Sequence, residues 1–160
     1  MRLFGVLTAL GLALGALAAG PEISEQKFPA PPVNLFYFDD SEIVMVLDPE
    51  HNTLHRSIDA GEKWERVEDI PDGHIDYVIP HQFDNKVAVA LGRKKKHWIT
   101  YDQGKNWKAF ETKEHPTGDP SKEPISFHAS DSKRMLFHGV EDCFFDSCVG
   151  KVRIYFITPD

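Results

Sequence analysis

Two segments of this chain set a hydroxyl, a carboxylate, a glycine and an indole at the same spacing. They are Ser57-Ile58-Asp59-Ala60-Gly61-Glu62-Lys63-Trp64 and Thr100-Tyr101-Asp102-Gln103-Gly104-Lys105-Asn106-Trp107. A recurring carboxylate first suggests the acid and base of a glycoside hydrolase, which needs two carboxyl groups facing one another across the scissile bond. The neighbouring residues argue for a turn instead. An aspartate at this position accepts hydrogen bonds from backbone N–H groups across a turn, as Asx turns do. Gly61 and Gly104 allow the positive φ that such a turn requires. Trp64 and Trp107 then begin the next strand and fold their rings back over the hairpin. A carboxylate held by backbone donors has a lowered pKa and makes a poor general acid. Ser57, Asp59, Gly61 and Trp64, with Thr100, Asp102, Gly104 and Trp107, therefore read as a structural device, the Asp-box. No catalytic residue is assigned.

Other chemistry-bearing residues give weaker patterns. Asp39 and Asp40 are adjacent carboxylates after a strand-like run, where a turn accounts for them. The Phe-Arg-Ile-Pro stretch that often introduces a sialidase arginine cluster does not occur. The chain is read as a non-enzyme. Its eight histidines, at 51, 55, 74, 81, 97, 115, 128 and 138, are scattered and read as surface groups. His51 and His55 are four apart, but not on a helix, so they share no metal-binding face, and no metal or cofactor is expected. Titration of histidine near endosomal pH leaves a pH-sensing role open. Arg93-Lys94-Lys95-Lys96 lies between two strands and reads as a solvated hairpin turn, or as a site for a basic-specific processing protease.

The elements that must position these residues follow a repeat. Asp59 and Asp102 are 43 residues apart, and a period of ~40–50 residues is that of a four-stranded propeller blade. Upstream of the boxes lie matched apolar runs, Ile43–Leu47 then Leu54–Ser57, and Val87–Leu91 then His97–Thr100. First strands are predicted at Val33–Phe38 and Ile75–Ile79, and last strands at Trp64–Val67 and Trp107–Phe110. All are short, rich in β-branched or aromatic residues, and bounded by Asp, Asn, Gly or Pro. A third unit is predicted from Ile125–His128, Arg134–Val140 and Lys151–Thr158. Thr158-Pro159-Asp160 matches the first three positions of another box. The longest polar linkers are Pro29–Pro32 and Thr112–Pro124. No sustained 3.6-residue period appears beyond the N-terminus. The expected fold is all-β, a partial β-propeller of about two and a half four-stranded antiparallel blades, spanning approximately 33–68, 75–111 and 125–160. Such an arc leaves apolar sheet faces without neighbours.

The N-terminus predicts the compartment. Arg2 precedes an apolar or small-residue run, Leu3–Leu17, and Ala16-Leu17-Ala18 is a small-x-small triplet, the layout of a cleaved signal peptide at 1–18. The run is short of the ~20 residues that span a bilayer. Residues 19–160 are expected to lie in the lumen of the secretory pathway or outside the cell. The chain has 18 basic and 25 acidic side chains, a formal charge of −7, or −8 once Arg2 is removed. That balance excludes a nucleic-acid partner, which requires a basic face. In an oxidising compartment Cys143 and Cys148 suggest one disulfide around a four-residue loop. The alternative, a metal-binding pair, lacks two further ligands nearby. There is no Asn-x-Ser/Thr sequon.

These residues carry a family resemblance. The paired boxes, Pro32-Val33-Asn34-Leu35-Phe36-Tyr37-Phe38-Asp39-Asp40, the stretch from Gly92 through Lys96-His97-Trp98-Ile99-Thr100, and the cysteine pair resemble the N-terminus of fungal vacuolar sorting receptors, the sortilin family. The resemblance covers roughly residues 28–158. It implies a type I membrane receptor with a ten-bladed lumenal propeller that takes soluble hydrolases, such as carboxypeptidase-like proenzymes, from the late Golgi to endosomes. Its partner would be protein cargo, with membrane attachment only through a C-terminal region beyond these residues. The chain departs from that pattern in holding fewer than three blades, with no cysteine-rich module, membrane helix or cytosolic tail. It would be a fragment, a truncated gene product, or a short secreted paralogue that binds protein without transporting it. The resemblance points to no cargo-contact residue.

Overall fold

The computed structural model describes residues 23, 25, 27–117, 123–141 and 150–157. The signal segment, Cys143, Cys148 and Thr158–Asp160 lie outside the described residues. Within them all regular structure is β. The first sheet is a meander of β1 (Val33–Tyr37), β2 (Val44–Asp48), β3 (Thr53–Ser57) and β4 (Glu65–Arg66). The second repeats it with β5 (Ile75–Pro80), β6 (Ala88–Gly92), β7 (Lys96–Thr100) and β8 (Lys108–Glu111). The third contains β9 (His115–Pro116), β10 (Ile125–Phe127), β11 (Arg134–Val140) and β12 (Gly150–Phe156). Every pairing is antiparallel and none of the sheets closes on itself. This is the expected all-β, partial propeller-like fold.

The strand sequences explain the stacking. β2 and β6 are buried along their whole length, so apart from the terminal Asp48 and Gly92 they read as apolar runs rather than alternating ones. Side chains still alternate between faces. Met45 and Leu47 share one core with Ala88, Ala90, Val78, Trp98 and Trp107 of the second sheet. Val87, Val89 and Leu91 turn the other way, into a second core with Ile125, Met135 and Phe137 of the third. The middle sheet therefore joins its two neighbours.

Three details differ from the sequence reading. β4 is only two residues long, because Trp64 stays in the box turn and Val67 bonds back to the Leu54 carbonyl beyond the ladder. The linker read as Thr112–Pro124 contains β9, which pairs with the far end of β11 through Pro116↔Gly139 and His115↔Val140. A Cβ on Gly139 would sit 2.5 Å from Glu114 Cβ and 2.8 Å from Phe137 Cε1, so this close approach requires glycine. The histidines are not all at the surface: His81 and His97 are buried.

A side chain also joins the edge strands of the first two sheets. Asn34, at φ 56° beside a β1 irregularity, donates from Nδ2 to the Val78 carbonyl at 2.8 Å and accepts the Val78 N–H at 2.6 Å. Its amide thus imitates a peptide group. Asn34→Ala leaves both backbone groups of Val78 without these partners and is expected to cost about 2 kcal/mol. Urea denaturation checks this; a midpoint shift no larger than that of a neutral surface substitution would refute the bridge.

Candidate functional site

The two box turns have nearly superimposable hydrogen bonding. In the first, Ser57 Oγ donates to Asp59 Oδ1 (2.8 Å) and accepts the Asp59 and Gly61 N–H groups at 3.3 and 2.8 Å. Asp59 Oδ1 then accepts the Lys63 N–H at 2.9 Å. In the second, Thr100 Oγ1 donates to Asp102 Oδ1 (2.9 Å) and accepts from Asp102 and Gly104 at 3.3 and 2.9 Å. Asp102 Oδ1 accepts the Asn106 N–H at 2.9 Å, and Oδ2 takes the Asn106 side-chain amide at 2.6 Å. Each turn needs two successive positive φ values, Ala60 at 55° and Gly61 at 97°, then Gln103 at 57° and Gly104 at 78°. The non-glycine member of each pair has no sequence signal of its own.

Both carboxylates are held below the usual aspartate range. For Asp59 the causes are the Lys63 backbone N–H and the Ser57 hydroxyl. For Asp102 burial alone would raise the pKa, but bonds from Asn106, Thr100 and Lys105 outweigh it. Such groups stay ionised and engaged near neutral pH, which does not suit a proton donor. Asp102→Ala is expected to lose about 1–3 kcal/mol because several donors lose their acceptor, and Asp102→Asn to lose less. Thermal unfolding of the two variants measures this; an equal loss would show that the carboxylate's acceptor role is not what matters.

The indoles differ between the turns. Trp107 is buried, donates from Nε1 to the Gly104 carbonyl at 3.1 Å, and its backbone N–H reaches Asp69 Oδ2 at 2.8 Å. Trp64 lies over Gly61, with ring carbon Cζ2 3.4 Å from where a Cβ would stand, and is not in the core. The second turn also reaches the first sheet. Arg56 Nε donates to the Gln103 carbonyl at 2.8 Å. A Cβ on Gly104 would lie 2.7 Å from Met45 Sδ. The adjoining Tyr101 hydroxyl donates to the Ile157 carbonyl of the third sheet at 2.7 Å. The second turn is thus a tie between sheets, which the sequence pattern did not reveal.

The remaining candidates are placed as follows. Asp39 and Asp40 are exposed in the turn between β1 and β2, with Asp40 at φ 55°. The Asp39 carbonyl accepts the Asn85 side-chain amide at 2.9 Å. Arg93 and Lys94 are exposed in the tight β6–β7 turn, with Arg93 on Asp76 (2.6 Å) and Lys96 over the Trp98 ring. His51 Nδ1 is 2.9 Å from the buried Asp48 carboxylate, which raises its pKa. Among the described residues no three His, Cys, Asp or Glu side chains gather as a metal site. Among them, too, no helix is long and apolar enough to cross a membrane.

Comparison with known proteins carries the argument further. The family model described as "Sortilin, neurotensin receptor 3" matches residues 52–160, a span containing both box turns. The chain belongs to the sortilin family. It is similar to proteins named Vacuolar protein sorting/targeting protein 10 from three fungi. The identities are 42% over 149 residues in Pyrenophora tritici-repentis, 39% over 156 in Leptosphaeria maculans and 35% over 161 in Neosartorya fischeri. These alignments cover 93%, 98% and 98% of this chain but only 9%, 10% and 10% of the relatives. The chain therefore spans about a tenth of the length of the curated relatives it matches. Sortilin-family membership fits the three four-stranded antiparallel sheets stacked through two shared cores.

Proposed function

We propose that this chain supplies the first sheets of the lumenal propeller of a non-catalytic sorting receptor. The receptor recognises soluble hydrolases, such as carboxypeptidase-like proenzymes, in the late Golgi and directs them to the endosome and vacuole. The observation that carries this reading is the 42% identity over 93% of the chain to a protein named for vacuolar protein sorting and targeting. In this reading residues 1–18 are removed as a signal peptide. Residues 19–160 form blades at approximately 33–68, 75–111 and 125–160, and Cys143 and Cys148 pair as a disulfide. Ser57, Asp59, Gly61, Trp64, Thr100, Asp102, Gly104 and Trp107 hold the blades and touch no substrate. Attachment to a membrane comes from sequence C-terminal to this segment. No nucleic acid, metal or cofactor takes part.

The physical support is a stacked scaffold of three sheets on which loops can be displayed. Cells disrupted in the gene for this chain are expected to release a carboxypeptidase-type vacuolar hydrolase into the medium, several-fold above the parent strain. Immunoblotting of medium and cell fractions reads this directly. A hydrolase that stays in the cell fraction as in the parent strain would overturn the sorting role.

A further inference from the structure

In a chain of formal charge −7, one hairpin concentrates positive charge. Arg93, Lys94 and Lys95 form the turn between β6 and β7, and Lys96 begins β7. Arg93, Lys94 and Lys96 are exposed. The Thr112 N–H on the Lys95 carbonyl, at 2.8 Å, brings the exposed Lys113 alongside. This hairpin belongs to the middle sheet, both of whose faces are occupied by cores. A turn lies at the end of its strands, off the direction in which sheets stack. The patch owes its exposure to that place and not to an unstacked face.

Two of the cations are held in position. Arg93 Nε donates to Asp76 Oδ1 at 2.6 Å, and the Lys96 ammonium lies 5.6 Å from the centre of the Trp98 ring. Holding a side chain before a partner arrives lowers the ordering cost of binding. The ammonium groups of Lys94 and Lys113 have no carboxylate partner among the described residues.

The surroundings limit what the patch can accept. The His74 carbonyl accepts the Arg93 N–H, and the Asn52 carbonyl accepts the Gly73 N–H. The β2–β3 turn and the segment before β5 therefore share this end with the hairpin. They bring the exposed carboxylates of Glu50, Asp72 and Asp76, and Glu111 stands across the strand pair from Lys96. A broad anionic surface, such as a lipid headgroup layer, would meet these carboxylates together with the cations, and like charge would repel it. A short acidic segment can meet the cations alone.

We propose that the β6–β7 hairpin, through Arg93, Lys94 and Lys96, is a docking point for a short run of Asp or Glu side chains on a partner protein. The partner's carboxylates pair with Lys94 and Lys96 and share Arg93 with Asp76. These are exposed charges, so salt weakens the contact. The inference does not rest on the receptor reading.

Fluorescence anisotropy with a labelled octaglutamate peptide tests it on the purified chain. Saturable binding is expected in about 50 mM NaCl, weakened at least about tenfold in about 500 mM. Lys94→Glu with Lys96→Glu should weaken low-salt binding at least about tenfold, whereas Lys94→Arg with Lys96→Arg should retain it. Lys86→Glu with Lys105→Glu makes the same change of net charge in turns at the opposite end of the same sheet and should leave binding unchanged. Far-UV circular dichroism checks that each variant keeps its β signal; if the hairpin pair does not, Lys94→Glu alone carries the comparison. The docking point is overturned if the intact chain fails to bind, if the folded hairpin variant binds as the intact chain does, or if the opposite-end pair weakens binding as much. Tighter binding to vesicles of phosphatidylserine and phosphatidylcholine than to the peptide would overturn the acidic segment as its partner.

Discussion

Phe137→Ala is expected to destabilise the chain by about 3–5 kcal/mol, the usual cost of removing a buried phenylalanine. Phe137 is fully buried in the core between the second and third sheets. Its ring lies 5.4 Å from that of His97 and 5.7 Å, edge-on, from that of Tyr155. Gly139 allows its ring and the 112–117 segment to approach closely, so little can move in to fill the space. The control is on the opposite face of the same sheet. Phe156 is largely exposed there, and Phe156→Ala should change stability by less than about 0.5 kcal/mol. Denaturant unfolding of the two variants separates them. Equal losses would mean that the faces of the third sheet are assigned wrongly.

A second large effect concerns acid. His97 is fully buried, and its tautomer is fixed by its neighbours. The Gly92 N–H donates to Nδ1 at 3.1 Å, so that nitrogen carries a lone pair. Nε2 therefore bears the hydrogen and donates to Thr112 Oγ1 at 2.8 Å, and that hydroxyl donates on to the Glu114 carbonyl at 2.7 Å. A second proton on the ring would point at the Gly92 N–H. Burial, with a smaller contribution from His115, lowers the His97 pKa to about 4 from an ordinary 6.5. Between those values the unfolded chain binds more protons than the folded one, so stability falls as pH falls from 6.5 toward 4. By pH 5 the loss from this one group is about 2 kcal/mol.

His97→Gln keeps one donor and one acceptor and removes the titration. It should flatten the dependence of the unfolding midpoint on pH across that window, even if it lowers the midpoint at pH 7. Burial also lowers His55 and His81, and they add slope of the same sign. His51, raised by Asp48, opposes it. Asp48, Asp59 and Asp102 are lowered carboxylates, and their contributions are lost only below the ordinary aspartate range. An unchanged slope in His97→Gln would remove His97 from the acid response.

The strands were legible because their signals are local. Continuous apolar runs at 43–47 and 87–91 lie between hairpin partners, and the 43-residue repeat of Ser/Thr-x-Asp-x-Gly-x-x-Trp sets the blade period. The box turns are equally local, since each bonds within a seven-residue span from Ser57 to Lys63 or from Thr100 to Asn106. β9 was not legible. A His-Pro pair has little strand character, and it pairs only because Gly139, more than twenty residues later, lets the chain approach.

By itself the sequence determined the fold class, the repeat, the positions of nearly all the strands and the turn chemistry of Asp59 and Asp102. Periodicity and hydrogen bonding along a few residues decide those. Only the tertiary structure decided that His97 is buried and neutral, that Asn34 pairs with the backbone of the second sheet, and that Gln103 and Gly104 pack against Arg56 and Met45. It alone placed the Phe28 ring against His55 and Trp64 of the first sheet. Each of these depends on which face of one sheet meets which face of another, and alternation along a strand that is apolar on both faces carries no sign of that choice.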